Sequence, residues 1–218
     1  MTQLRSAQRL ARALTARDSS ARLRAALAAG TRPEATYIPV LVDRCAVEPD
    51  FFVRDMLTWA LIRHDKAAVL EHVLPQLCSN TPQARSQAIH TISKIGDPAT
   101  AAAITTELLT DEDDETARAA WRTAVALAHA DQAARLADTL GTQFGRGSRE
   151  VQLSLSRAFV ELGEVAAPVI ERAKASRDDD VRLHALATER IVADPDQGFD
   201  AAIAEAQRTV ALLDAPGI

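Results

Sequence analysis

The sequence predicts an all-α fold, and three observations lead there. Forty-four of the 218 residues are alanine and 23 are leucine, so the chain is dominated by strong helix formers. Glycine and proline together number 17, below the roughly 12% of an average chain, and only eight residues are aromatic. Residues that favour strands are therefore too few for a large sheet. Third, one short phrase recurs along the whole chain, the signature of a repeat architecture.

The phrase is a small or branched residue, usually an arginine next, and then apolar residues three, four and seven positions on. It reads Ala21-Arg22…Ala25-Ala26, Val53-Arg54…Leu57-Thr58…Leu61, Ala84-Arg85…Ala88-Ile89…Ile92 and Ala117-Arg118…Trp121…Val125. Two further copies are Val151-Gln152…Leu155…Phe159 and Val181-Arg182…Ala185-Leu186. The anchors at 22, 54, 85, 118, 152 and 182 are separated by 32, 31, 33, 34 and 30 residues. Each phrase carries the 3.6-residue period of a helix with one apolar stripe.

Taken in order, each unit holds a first helix, a polar turn and a second helix on the anchor. First helices are expected at roughly 2–16, 34–47, 66–79, 98–110, 131–143 and 164–176. The opening one, with Leu4, Ala7, Leu10, Ala11 and Leu14 on one stripe, reads as amphipathic and not as a secretory signal. Asp18, Asp50, Asn80-Thr81-Pro82, Asp113/Asp114, Ser148 and Asp178-Asp179-Asp180 then start the second helices, since Asp, Asn and Ser side chains accept the free N–H groups of a first turn. Pro39, Pro75 and Pro168 are expected to kink the first helices that contain them, and Gly30 to close its helix early. The Gly141–Ser148 stretch reads as a flexible connection. A last helix follows Asp194-Pro195-Asp196. The units are approximately 1–32, 33–65, 66–97, 98–130, 131–163 and 164–194, with a capping helix at 196–214, in one continuous domain.

A proline-bearing helix, an acidic turn and a Val-Arg-x-x-Ala helix, ending once in Ile95-Gly96-Asp97, together resemble a HEAT repeat over nearly the whole chain. The resemblance implies a right-handed α-solenoid of about six helix pairs. It also implies a ladder between neighbouring units in which turn aspartates pair with second-helix arginines. By position these are Asp50, Asp114 (or Asp113) and Asp180 with Arg54, Arg85, Arg118 and Arg182, and Gln152 interrupts the series.

Second helices of such a solenoid line its concave side. Counting 100° per residue from each anchor, positions +2, +5 and +9 point away from the buried direction. They select Met56, Trp59 and Arg63, then Gln87, His90 and Lys94, then Thr123, Ser154, Arg157 and His184 as a candidate binding strip. Exposed aromatic and arginine side chains are the usual energetic anchors of such surfaces.

Other chemistry is absent from the pattern. The acidic runs lack the glycine and distant glutamate of a calcium loop, and the glycine-rich stretch lacks the Lys-Ser/Thr of a phosphate loop. No histidine or cysteine spacing suggests zinc, and no nucleophile has a positioned base. No apolar run is long enough to cross a membrane. Two cysteines form no disulfide framework, which points to the reducing cytoplasm. The sequence reading is thus a cytoplasmic, monomeric, non-enzymatic adaptor that needs no cofactor or metal and binds another protein or peptide. The alternative is a nucleic-acid binder similar in architecture to HEAT-like DNA alkylation-repair glycosylases. A net charge of −5 and a pI near 5.6 disfavour it, and Asp55 near Trp59 is the one weak match to such a site. The charge is uneven, +3 over residues 1–60 and −8 over the remainder.

Overall fold

A computed structural model of the chain describes residues 2–213. Every regular element among them is helical, so the predicted class holds. The ends of two expectations, the Leu4 side chain and residue 214 of the last helix, lie outside the described residues. No described helix is long and apolar enough to cross a membrane. The chain divides into two compact units, Met1–Ile104 and Thr105–Ile218, and the division falls inside the stretch expected as the fourth repeat.

In the first unit α1 (Thr2–Leu14) and α2 (Ser19–Thr31) form a pair. A 3-10 turn (Ala35–Tyr37) leads into α3 (Ile38–Cys45), which pairs with α4 (Phe51–Ile62). Next, α5 (Lys66–Val73) and its 3-10 extension (Leu74–Cys78) pair with α6 (Pro82–Ile95). The unit ends in a 3-10 segment (Pro98–Ala103). Helices α2, α4 and α6 pack side by side in one layer and α1, α3 and α5 in the other. The core between them is built from Leu14, Ile38, Leu41, Leu57, Leu61, Ile89 and Ile92, all fully buried.

The second unit repeats the plan. Here α7 (Thr106–Leu109) packs on α8 (Asp114–Leu127), α9 (Ala133–Gly141) on α10 (Arg149–Leu162), and α11 (Ala167–Lys174) on α12 (Asp179–Ala193). The last helix, α13 (Phe199–Leu213), covers α12 through Phe199, Ala202, Ile203 and Ala206. Trp121 is wholly buried and donates its indole N–H to the Leu109 carbonyl at 2.7 Å. Phe144 stacks on Phe159 with ring centres 4.8 Å apart.

Local chemistry explains the boundaries. Carboxylates of Asp18, Asp50, Asp113 and Asp178 accept first-turn N–H groups of α2, α4, α8 and α12. Thr81 and Ser148 precede α6 and α10 without a side-chain cap. Pro39, Pro75 and Pro168 each stand in the first turn of a segment that directly continues another helical segment, so each marks the place where 3-10 and α geometry meet and its missing N–H is accommodated.

Gly30 also departs from its expected role. It lies inside α2, and a Cβ there would stand 2.4 Å from the Trp59 ring and 2.8 Å from the Ala60 backbone. The glycine therefore permits close approach of α2 and α4 and ends nothing. Gly30→Ala gains about 1 kcal/mol of helix propensity but must push two packed helices apart, typically costing about 1–3 kcal/mol. A net loss of about 1–2 kcal/mol is expected in urea denaturation, and a stabilised variant would refute the close approach.

The expected aspartate–arginine ladder is replaced by another arrangement. Arg22 and Arg54 each turn back to two carbonyls of the preceding turn, Ala16 and Arg17 in one case and Glu48 and Pro49 in the other, and Arg85 reaches the Ser79 carbonyl. Arg118 pairs with Glu115 at 2.7 Å and Arg182 with Asp179 at 2.9 Å, each three residues back on its own helix. Asp50 is occupied as a helix cap and Asp180 stays exposed. Asp114 does reach a neighbouring repeat, but its partner is Arg146 of the glycine-rich connection, at 2.9 Å. The reason is reach: an arginine one turn into a helix lies directly over its own turn's free carbonyls, while Arg22 also crosses to Glu48 of the next pair and Arg118 approaches Glu150 of α10 at 3.9 Å.

Candidate partner-binding surface

The expected binding strip separates into two classes. In the first unit, Met56, Gln87 and His90 are half-buried, and Arg63 and Lys94 are exposed on the outer face of α4 and α6. Trp59 is half-buried, its ring lying against Gly30 on one side with the Arg63 guanidinium 6.0 Å from its centre. Its main role is therefore packing between α2 and α4, which corrects its reading as a free anchor. In the second unit Arg157 is exposed, but Thr123, Ser154 and His184 are buried. The cause is lateral packing. Helix α10 is flanked by both α8 and α12, so side chains at +2 or +5 from the anchor meet a neighbouring second helix instead of water.

His184 shows what that burial demands. Its Nδ1 accepts the Gly145 N–H at 3.0 Å, and its Nε2 lies 3.0 Å from the Gln152 carbonyl and 3.3 Å from Ser156 Oγ, itself bonded to Thr188. Phe144 and Phe199 meet the ring edge-on. Burial pushes the imidazole pKa down to about 4, aided by the charge of Arg149 and opposed by the Gln152 carbonyl. The ring is a neutral structural tie, and the glycine connection it holds is pinned, also by Arg146, in contrast to the flexible loop expected.

A further exposed surface lies at the start of α4 in the first unit. Val47, Phe51 and Phe52 are 62%, 66% and 70% exposed, the most exposed of the large apolar side chains among the described residues. The two phenyl rings meet edge to face at 5.6 Å, and the Arg54 guanidinium sits 5.9 Å from the Phe51 ring centre. Asp50 fixes the arrangement by capping α4, so the rings occupy its first turn. The signal lay in position: the Phe51-Phe52 pair directly follows the capping aspartate and so stands in the first turn of α4. In a chain with five phenylalanines, two on the surface together form an apolar patch of the kind that marks contact with another molecule.

Charge divides along the same boundary as the fold. Residues 1–104 hold 13 Lys/Arg against nine Asp/Glu, and residues 105–218 hold 12 against 21. The patch thus belongs to the basic unit. Among the described residues no three His, Cys, Asp or Glu side chains cluster as a metal site would require.

An all-helical chain of paired helices bearing an exposed aromatic patch is the class that fold and surface define. No family model matches the chain, and no curated protein does. Among solved structures it is similar to an engineered protein at 19% identity, over 92% of this chain and 97% of the other, with a TM-score of 0.45. It is also similar to human deoxyhypusine hydroxylase, solved with glycerol, at 16% identity, over 100% of this chain and 92% of that one, with a TM-score of 0.46. One of these structures is by its name an enzyme, so the expectation that this chain is not one is withdrawn.

Proposed function

We propose that the protein is a cytoplasmic helical-repeat module that binds a partner protein or peptide through the second-helix face of its N-terminal unit. In this reading the helix pairs are about six HEAT-like repeats of a right-handed solenoid, closed by α13. The return of second-helix arginines to their own turn carbonyls at 22, 54 and 85 supports a common repeat unit. The observation that carries the binding role is the exposed Phe51/Phe52 pair with Val47. Aromatic side chains gain most from desolvation on binding, and the Arg54 guanidinium beside the Phe51 ring supplies an adjacent charge. The surplus of basic residues in this unit favours a partner with acidic flanks.

The test is to capture partners from native-host extract, purify the one retained, and measure its Kd for wild-type and Phe51→Ser/Phe52→Ser proteins. The double variant is expected to bind at least about tenfold more weakly, a loss of about 1.4 kcal/mol or more, while its melting temperature stays unchanged because neither ring is buried. Equal affinity for the two proteins would remove the proposal. Binding of generic duplex DNA that weakens steeply with salt would identify a reader of backbone charge instead.

A further inference from the structure

A cleft of about 430 Å³ opens between α1, α2 and the 3-10 turn at 35–37, lined by none of the aromatic patch, in the size range of small-molecule sites. Its floor owes its openness to alanine: Ala13 of α1 and Ala25, Ala28 and Ala29 of α2 extend no further than Cβ. Its walls are polar. Glu34 accepts hydrogen bonds at both carboxylate oxygens, from Ser6 Oγ at 2.7 Å and from the Tyr37 hydroxyl at 2.9 Å. Those two bonds, with the nearby charge of Arg9, keep its carboxyl below the usual range and hence ionised.

Arg9 and Arg32 also line the cleft, both exposed, and neither forms an ion pair among the described residues. The carboxylate beside them accepts one hydroxyl donor on each oxygen and pairs with neither guanidinium among the described residues, which leaves both available. Two free guanidiniums against one committed carboxylate leave the cleft net positive, above a small apolar floor and beside an aromatic ring.

We propose that this cleft binds a small organic carboxylate, its apolar body over the alanine floor and its carboxylate on Arg9 and Arg32. A guanidinium suits this ligand because its planar fork matches the two oxygens of a carboxylate. The apolar floor discriminates against bare inorganic anions, which gain nothing from covering it.

Tyr37 is the single tyrosine of the chain, so its ring resonances report on this cleft alone. Benzoate titrated into full-length protein carrying ¹³C-labelled tyrosine is expected to shift them saturably, with a Kd near or below about 1 mM. Inorganic phosphate should shift them at least about tenfold more weakly. Arg9→Gln/Arg32→Gln, a surface change that leaves the core intact, should weaken benzoate about tenfold or more, and Ala28→Leu should block it by filling the floor. The proposal falls if benzoate gives no saturable shift, if the double arginine variant binds as tightly as wild type, or if phosphate matches benzoate. Loss of the fold in Ala28→Leu alone would leave the arginine variant and the phosphate comparison to decide.

Discussion

Glu48→Gln is expected to destabilise the protein by about 3–5 kcal/mol, the range for removing one partner of a buried ion pair. Glu48 is fully buried at the turn before α4 and gathers five donors. Arg22 of the preceding pair contributes Nε at 2.8 Å and an outer nitrogen at 2.7 Å, and Arg44 binds through the same two kinds of nitrogen at 2.8 and 2.6 Å. The Asp50 N–H adds a fifth contact at 3.0 Å. Arg22 is itself buried, so glutamine would leave its charge without compensation in the interior. The effect should appear as a lower urea midpoint at neutral pH, and a loss under about 1 kcal/mol would show that water or rearrangement compensates the arginine.

The same residue gives a signature in acid. Burial alone would raise the Glu48 carboxyl, but Arg22, the Asp50 N–H and Arg44 outweigh it and hold the pKa near 2, against 4.5 in the unfolded chain. A depressed carboxyl contributes stability that is present above pH 4.5 and is lost as pH falls towards 2. Glu48→Gln should abolish that part of the acid profile.

His184 governs the second large effect, in a different pH window. Its pKa is about 4 when folded and 6.5 when unfolded, so between those values the unfolded chain binds more protons. Stability is therefore complete above pH 6.5, declines as pH falls, and has lost roughly 3 kcal/mol by about pH 4. The physical cost is plain. Protonation would charge a ring enclosed by Phe144 and Phe199 and place a second N–H against the Gly145 donor. Urea denaturation of wild type and His184→Gln between pH 7.5 and pH 4 tests the assignment: the variant should start less stable but lose far less across the window. Parallel slopes in the two proteins would acquit His184.

Much of the fold was legible because helix starts and periods are local. Asp18, Asp50, Asp113 and Asp178 cap helices where the turn chemistry placed them, and the anchors mark second helices throughout. The surface was less legible. Counting around one helix locates the side buried against its own partner, but not the neighbours on either flank. Thr123, Ser154 and His184 were therefore assigned to solvent although they are buried. Phe51 and Phe52 precede the anchor Arg54, so a count that runs forward from the anchor does not reach them.

By itself the sequence determined an all-helical chain with a period near 32 residues, because propensity, capping and hydrophobic spacing act within a few residues of one another. Tertiary structure alone decided the partners of long side chains. Glu48 collects Arg22 from 26 residues away, Arg146 takes the place that an anchor arginine was expected to fill at Asp114, and Gly30 is a glycine because Trp59 lies over it. A charged side chain can satisfy any carbonyl or carboxylate within its reach, and only the packed positions of the helices select which one.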